Sequence, residues 1–424
     1  MKQFLRRGLL TFISLMLAMT SVQQLAFTDS AQAAYTVTGG STFNNPYGTT
    51  AQRMSIINKI NKAIDNTPKG SVIRVVTYSL KYDVSVTKLI AAHKRGAIVQ
   101  VITSDHLFNQ DDEVKEAADT AQLRRLISVI KNEVEYDNSK SFVKVCSKGC
   151  TSSNAASSVH TKAYMFSKSG SSKLVTMISS SNLSEGHAFA WNNMYTSVNN
   201  KTLYDSLLTT FYKMARDKNA NMYQNIAVSD SMRLYTFPRK SSALDDDVHY
   251  TMLEKIRCTG AASGYGVGGK TAIDFAMFKW TDSRSEVAEK LRALANSGCR
   301  VRVITDKTNM STGILRTLTE PKSGKASTVI VKDADTTINK QFRYMHHKYI
   351  TINGYYVDPA YSDQGNRKSK IVFTGSPNLT YTGLQENDEV MLRLRNASEH
   401  TLFTKNFELI WSKYSKAFKW VDPN

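Results

Sequence analysis

Short apolar runs alternate with stretches of helical periodicity along most of the chain. Ile73-Arg-Val-Val-Thr-Tyr-Ser reads as a buried strand, and so does Ile273-Asp-Phe-Ala-Met-Phe-Lys. Val86, Leu89, Ile90 and His93 follow the first run, and Val287, Leu291 and Leu294 the second. Three- and four-residue spacings put each set on one helix face. Gly96 and Gly298 close these helices, where a left-handed C-terminal cap is least strained. A second apolar strand comes next, Val99-Gln-Val-Ile-Thr in one half and Val301-Arg-Val-Ile-Thr in the other. The pattern is β–α–β twice over, which implies parallel neighbours and right-handed crossovers.

The tails of the halves match as well. Asn182 and Asn378 lie 196 positions apart, as do Phe211 and Phe407, each phenylalanine within a helical pattern. The shared order points to an internal duplication. The expected fold class is α/β, with two duplicated β–α–β lobes packed about a pseudo-two-fold axis and a site at their seam. Residues 51–238 form the first expected lobe and 248–424 the second. The boundary falls in the Ser-, Asp- and Arg-containing stretch Arg239–Asp247 after Pro238. Residues 34–50, rich in Gly, Thr and Asn, read as a flexible N-terminal arm. Residues 357–370 have no counterpart of similar length and read as a surface insertion near the site.

The first 33 residues change the picture of where the chain works. Lys2, Arg6 and Arg7 precede an apolar run from Gly8 to Met19, and Ala31-Gln32-Ala33 is a small-x-small site. This is the pattern of a secretory signal peptide cleaved after Ala33, with an apolar run too short to span a bilayer. A secreted, extracellular protein is expected. Four cysteines, Cys146, Cys150, Cys258 and Cys299, suit an oxidising destination. Cys146 with Cys150 would close a small loop and Cys258 with Cys299 a longer one. A zinc site at the closely spaced pair is the rival reading. The formal charge is +19, about +17 without the leader. That favours polyanionic partners: nucleic acid, anionic lipid surfaces or anionic wall polymer.

Chemistry concentrates in two repeated motifs. His160-Thr-Lys162 is followed by Ser179-Ser180-Ser181-Asn182, and His346-His347-Lys348 by Gly375-Ser376-Pro377-Asn378. One His-x-Lys tripeptide is weak evidence; two at equivalent places in a duplicated chain, each trailed by a Ser-x-Asn turn, are strong. Residues i and i+2 of a strand share a face, so each histidine points with its lysine. Packing the halves about a two-fold would gather two imidazoles, two ammonium groups and two amides. That set suits a phosphodiester. Lys162, Lys348, Asn182 and Asn378, with Ser180 and Ser376, would hold the phosphate oxygens. One histidine would attack phosphorus, and the other would protonate the leaving alkoxide and later activate water. No metal or other cofactor is called for, since the lysines supply positive charge.

The arrangement resembles the HxK(x)4D…GSxN signature of the phospholipase D superfamily, present twice and covering roughly residues 50–418. The resemblance implies that His160 is the nucleophile, through a phosphohistidine, and that His346 is the general acid. The motif aspartate is replaced by Ser167 and Asn353, and the first motif glycine by Ser179. Downstream, Asn387-Asp388-Glu389 faces Trp191-Asn192-Asn193 in the other half. A carboxylate orients a catalytic imidazole and stabilises its cation, so Glu389 is expected to serve one histidine and Asn193 the other. His347 reads as packing or surface; His187 and Trp191, near the Asn182 turn, could line the pocket but read first as structural.

The implied activity is a metal-independent phosphodiesterase. A phospholipase D releasing phosphatidate and a free alcohol leads, with a phospholipid or another phosphodiester polyanion as partner, peripheral membrane contact and a monomeric state. The alternatives are a secreted nuclease of the same superfamily, or a degenerate wall-binding module.

Overall fold

Two mixed sheets of matching design carry the molecule. The computed structural model describes residues 35–105, 113–131, 137–152, 154–220, 222–239, 243–321, 327–338 and 341–418. The leader and its cleavage site lie outside these residues. Residues 36–424 form one unit. In chain order the first strands are β1 (Gly40–Phe43), β2 (Val72–Thr77), β3 (Ile98–Ser104), β4 (Phe142–Cys146), β5 (Ala163–Ser169), β6 (Ser172–Ser179), β7 (Ala190–Trp191) and β8 (Asn193–Ser197). They continue as β9 (Gln224–Ser229), β10 (Met232–Phe237), β11 (Ile256–Arg257), β12 (Ala272–Met277), β13 (Arg300–Thr305) and β14 (Ile330–Asp333). The last are β15 (Thr336–Ile338), β16 (Gln341–Met345), β17 (Lys348–Tyr356), β18 (Ser369–Gly375), β19 (Glu389–Arg395) and β20 (Lys416–Ala417).

Among the described residues the first sheet runs β1-β8-β6-β5-β2-β3-β4, and the second runs β20-β14-β13-β12-β17-β18-β19-β10-β9. Strands β2, β3 and β4 are parallel, as are β12, β13 and β14, and the rest of each sheet is antiparallel. The duplication is therefore literal, with β12, β13 and β14 standing where β2, β3 and β4 stand. Helices Asp83–Lys94 and Ser285–Asn296 make the crossovers. Gly96 and Gly298 end them at φ +87° and +95°, a region where a Cβ is strained.

Three readings change. Residues 34–50 are not a loose arm, because β1 pairs antiparallel with β8 along the sheet edge, and Val37 and Asn44 are buried. The repeat boundary moves towards the N-terminus, because β9 and β10 join the second sheet, β10 pairing with β19 from Met232 to Phe237. Strand β10 does for β19 what β1 does for β8, so the second repeat begins before Pro238 rather than after it. Residues 357–370 follow the end of β17 opposite Lys348. Eight residues at about 3.3 Å each separate the two ends of that strand, so this segment lies away from the site. It is held by Arg393 Nη1 donating to Asp358 Oδ2 at 2.6 Å and by a short helix, Asp363–Asn366.

One hydrophobic cluster draws on both halves, joining Met165, Ile178, Leu203 and Leu207 to Ile304, Val372, Phe403 and Phe407. A small third sheet crosses the seam, where β16 runs parallel to β7 through Tyr344↔Ala190 and Met345↔Trp191. Both cysteine pairs are bonded, Cys146 to Cys150 and Cys258 to Cys299. The second bridge spans 41 residues and joins the residue after β11 to the turn between helix Ser285–Asn296 and β13. A cross-link of that span removes denatured-state freedom by about 4 kcal/mol on the chain-entropy model. The double variant Cys258→Ser/Cys299→Ser should lose about that much unfolding free energy; a denaturant titration giving the wild-type midpoint would contradict it.

Candidate active site

Each motif histidine is fixed through its backbone by the opposite half. His160 N–H donates to the Asp388 carbonyl at 3.1 Å, and His346 N–H donates to the Trp191 carbonyl at 3.1 Å. Asp388 N–H returns a bond to the Ser158 carbonyl at 3.1 Å. Lys162 immediately precedes β5 and Lys348 opens β17. Lys162 Nζ donates to the His160 carbonyl at 2.5 Å and Lys348 Nζ to the His346 carbonyl at 2.8 Å. An aromatic ring backs each pair. Tyr78 lies 5.4 Å from the His160 ring and 5.5 Å from Lys162 Nζ. Phe278 lies 4.7 Å from both the His346 ring and Lys348 Nζ. Both rings are the first residue after the first parallel strand of their half.

The imidazoles differ in their partners. His160 Nδ1 meets Glu389 Oε1 at 2.6 Å. His346 Nδ1 meets Asn192 Oδ1 at 2.8 Å. Asn192 Nδ2 donates to the His187 and Ala190 carbonyls, both at 3.1 Å, which leaves its oxygen facing His346. Both histidines therefore carry their proton on Nδ1 and keep Nε2 for chemistry. Asn193, expected to orient a catalytic histidine, instead receives His347 Nδ1 at 2.9 Å and donates to Thr374 Oγ1 at 2.6 Å. The reason is register. Ser180 N–H bonds the Asn193 carbonyl and Ser376 N–H the Val390 carbonyl, both at 3.0 Å. Asn192, not Asn193, is thus the counterpart of Glu389. The loop after Asn378 holds one residue more than the loop after Asn182, and a one-residue slip turns a strand side chain to the other face.

Ser180 and Ser376 are corrected too. Both are fully buried. Ser180 Oγ donates to Asn192 Oδ1 at 2.9 Å and accepts from Asn193 N–H at 3.1 Å, and Ser376 Oγ accepts from Val390 N–H at 3.1 Å. They brace the orienting residues rather than face a phosphate. A Cβ on Gly375 would collide with the Val390 carbonyl; at the equivalent Ser179 the hydroxyl donates to the Asn193 carbonyl at 2.9 Å. The positions of the missing motif aspartates are structural. Ser167 Oγ accepts from Val72 N–H at 2.8 Å, and Asn353 Oδ1 from Gly266 N–H at 3.1 Å.

The two amides of the motif are held unequally. Asn182 Oδ1 accepts from Thr77 Oγ1 at 3.2 Å, whereas Asn378 Oδ1 is buried without a hydrogen-bond partner. His187, read from the sequence as structural, sits inside the site with its ring 4.6 Å from His346. Neither His187 nor Asn192 belongs to the repeated motif, and only the fold brings them in.

The electrostatics are those of a dry, cationic seam. Burial lowers His160 to about 4, although Glu389 acts to raise it. Burial and the Lys348 charge hold His346 well below its ordinary value. Burial also pulls Lys162 down to about 7 and Lys348 well below the usual lysine range, each charge opposing the next. Burial alone would raise Glu389, but the His160 and Lys162 charges outweigh it and leave its carboxylate below the ordinary value. An anion between the lysines would relieve all of these. A separate cavity of about 470 Å³, lined by residues including Tyr223, Arg239, Lys255 and Tyr356, contains none of the motif residues.

Comparison with known proteins supplies the family. The family model described as cardiolipin synthase, PLD-like domain, matches residues 56–215 and 269–411. The chain belongs to the phospholipase D superfamily. Mouse mitochondrial cardiolipin hydrolase is 26% identical over 153 residues, 35% of this chain and 55% of the relative. The human protein is 25% identical over 154 residues, 35% of this chain and 49% of the relative. The chain thus spans about half the length of the curated relatives it matches. Among solved structures, phosphatidylserine synthase of Haemophilus influenzae superposes with TM-score 0.55 and 11% identity, covering 90% of this chain and 88% of that one. Polyphosphate kinase of Porphyromonas gingivalis gives TM-score 0.55 and 11% identity over 91% and 53%. These two likenesses show a shared fold.

Holding histidines neutral couples stability to acid. Burial lowers His187 to about 3 and His249 and His400 to about 4, alongside His160, His346 and His347. Unfolded histidines protonate near 6.5, so below that value the unfolded chain binds the more protons and stability falls with pH. Asp335 and Asp388, raised by burial to about 9 and about 7, act in the opposite sense but are outnumbered. The melting temperature should drop between pH 7 and pH 5; a flat or rising profile would show that these rings are not buried neutral.

Proposed function

We propose that this superfamily member is a histidine-nucleophile phosphodiesterase acting on phospholipid, a secreted phospholipase D. The observation that carries the reading is the pairing of His160 with Glu389 across the seam from His346 and its amide. Attack through Nε2 places positive charge on the attacking ring, and a carboxylate on Nδ1–H stabilises that charge. His160 is therefore the nucleophile. His346, with only an amide behind it, gives up an acquired proton readily and suits the acid role.

The steps balance as follows. The substrate phosphate enters between Lys162 and Lys348, and its charge lets His346 hold a second proton on Nε2. His160 Nε2 bonds to phosphorus, the P–O bond to the alcohol breaks, and His346 protonates the departing oxygen. Neutral His346 then takes a proton from water, whose oxygen bonds to phosphorus as the P–N bond breaks. Asn182, Asn378 and the two lysines stabilise the equatorial oxygens throughout.

Two features support lipid. The match to a domain family described by cardiolipin synthase, with cardiolipin hydrolases as relatives, is one. The other is an apolar rim. Phe342 is exposed and stacks at 5.5 Å on Tyr344, which edges His346. Two disulfides and the leader pattern support secretion. The charge of +19 favours a nuclease as the second reading.

Incubation in excess EDTA with phosphatidylcholine vesicles, cardiolipin vesicles and plasmid DNA separates the readings. Head-group or phosphatidate release that vanishes in His160→Ala is the expected result. DNA cleavage with intact lipid would replace it by the nuclease reading, and silence on all three from folded protein would sink both. Glu389→Gln should lower kcat by roughly 10²–10⁴-fold with the wild-type melting temperature. Unchanged kcat would remove Glu389 from the mechanism.

A further inference from the structure

The short helical turn Glu185–Phe189 carries a third histidine into the seam. His187 Nδ1 accepts the backbone N–H of Asn182 at 2.9 Å, and its Nε2 lies 3.4 Å from the Asn182 carboxamide. One ring thus hydrogen-bonds the main chain of that asparagine and packs its protonated Nε2 edge against the side chain. The first contact requires an unprotonated Nδ1, since two N–H groups cannot share one bond. The ring also stands edge-on to His346, at 4.6 Å and 65°. Its carbonyl receives Asn192 Nδ2 at 3.1 Å, the bond that turns the Asn192 oxygen towards His346.

The second half has no equivalent. The residue 196 positions on is Gly383, and Asn378 Oδ1 there lacks a hydrogen-bond partner. A clamp on one amide and not the other asks for a reason beyond packing. A phosphate-binding donor works by being aimed before charge develops, which costs no reorganisation at the moment of reaction.

We propose that His187 is a positioning residue whose imidazole clamps Asn182 and so aims its carboxamide at the phosphate in the transition state. This rests on the reading of Asn182 as a phosphate donor. Burial and the charges of Lys348 and Lys162 keep the ring neutral, as the clamp needs. A residue that acts through another leaves a thermodynamic signature, because its loss costs nothing further once the other is gone.

The test is a double-mutant cycle on the full chain, with His187→Phe, Asn182→Ala and both, assayed on bis(p-nitrophenyl) phosphate. His187→Phe should lose about 10²-fold in kcat with KM little changed. Asn182→Ala should lose a similar factor, and the double variant no more than Asn182→Ala alone. His187→Asn, which restores an acceptor for the Asn182 N–H, should recover part of the loss and also serves if the phenylalanine variant does not fold. Multiplying losses in the double variant, or wild-type kcat in His187→Phe, would overturn the proposal. Vanadate binding by calorimetry on the same proteins separates this idea from the proposed activity. If the wild type binds vanadate but turns nothing over, weaker binding in His187→Phe that Asn182→Ala does not deepen upholds the clamp while hydrolysis fails. Equal binding by wild type and His187→Phe would refute the clamp, and no binding by the wild type would refute both.

Discussion

Two backbone hydrogen bonds exchanged across the seam hold the site together. His160 takes the carbonyl of Asp388, and His346 takes that of Trp191. Neither half can complete its own catalytic strand, because each borrows an acceptor from the other. A hydrophobic cluster shared by both halves packs the same seam. Buried N–H groups without partners are costly, so the crossed bonds also explain why the chain forms one unit rather than two separable lobes.

Inside that seam, charge is arranged to be incomplete. Two buried lysines, a buried His346 and a partly buried His160 face Glu389 as their principal counter-charge. Water would normally solvate such a set, and its exclusion shifts every group towards its neutral form. On the proposed reading, a phosphodiester supplies the anion. Its arrival changes the proton affinities of the groups that must act on it, so binding and activation are one event. The inequality of Glu389 and Asn192 then breaks the pseudo-two-fold symmetry and gives the two rings different work.

Much of this was legible in the sequence. Strand, helix, strand and the His-x-Lys spacing could be read because i,i+2 geometry and 3.6-residue periodicity are local properties. Ser167 and Asn353 could be recognised as departures, though not that both sit on backbone N–H groups near the strand starts. What could not be read was set by pairing at a distance. The polar stretch before residue 50 looks like a loop, yet Gly40–Phe43 needs only backbone groups to close a sheet edge. Pro238 punctuates the chain, but β10 before it already belongs to the second sheet. Asn192 and Asn193 are chemically identical, and only the length of the preceding loop decides which reaches His346. Tyr78 and Phe278 were visible at matching places, and an alignment of the two halves would have shown that each half keeps an aromatic ring there.

The long reach of the His160–Glu389 pair also has a bearing on when the protein becomes dangerous. The partners lie 229 positions apart in the chain, so a ribosome that has released His160 still has more than half of its message to read before Glu389 exists. Throughout that interval the nascent chain carries a nucleophile with no counter-ion and no acid partner. On the proposed reading, reactivity towards phosphodiesters therefore arises only once His346 and Glu389 have both been made.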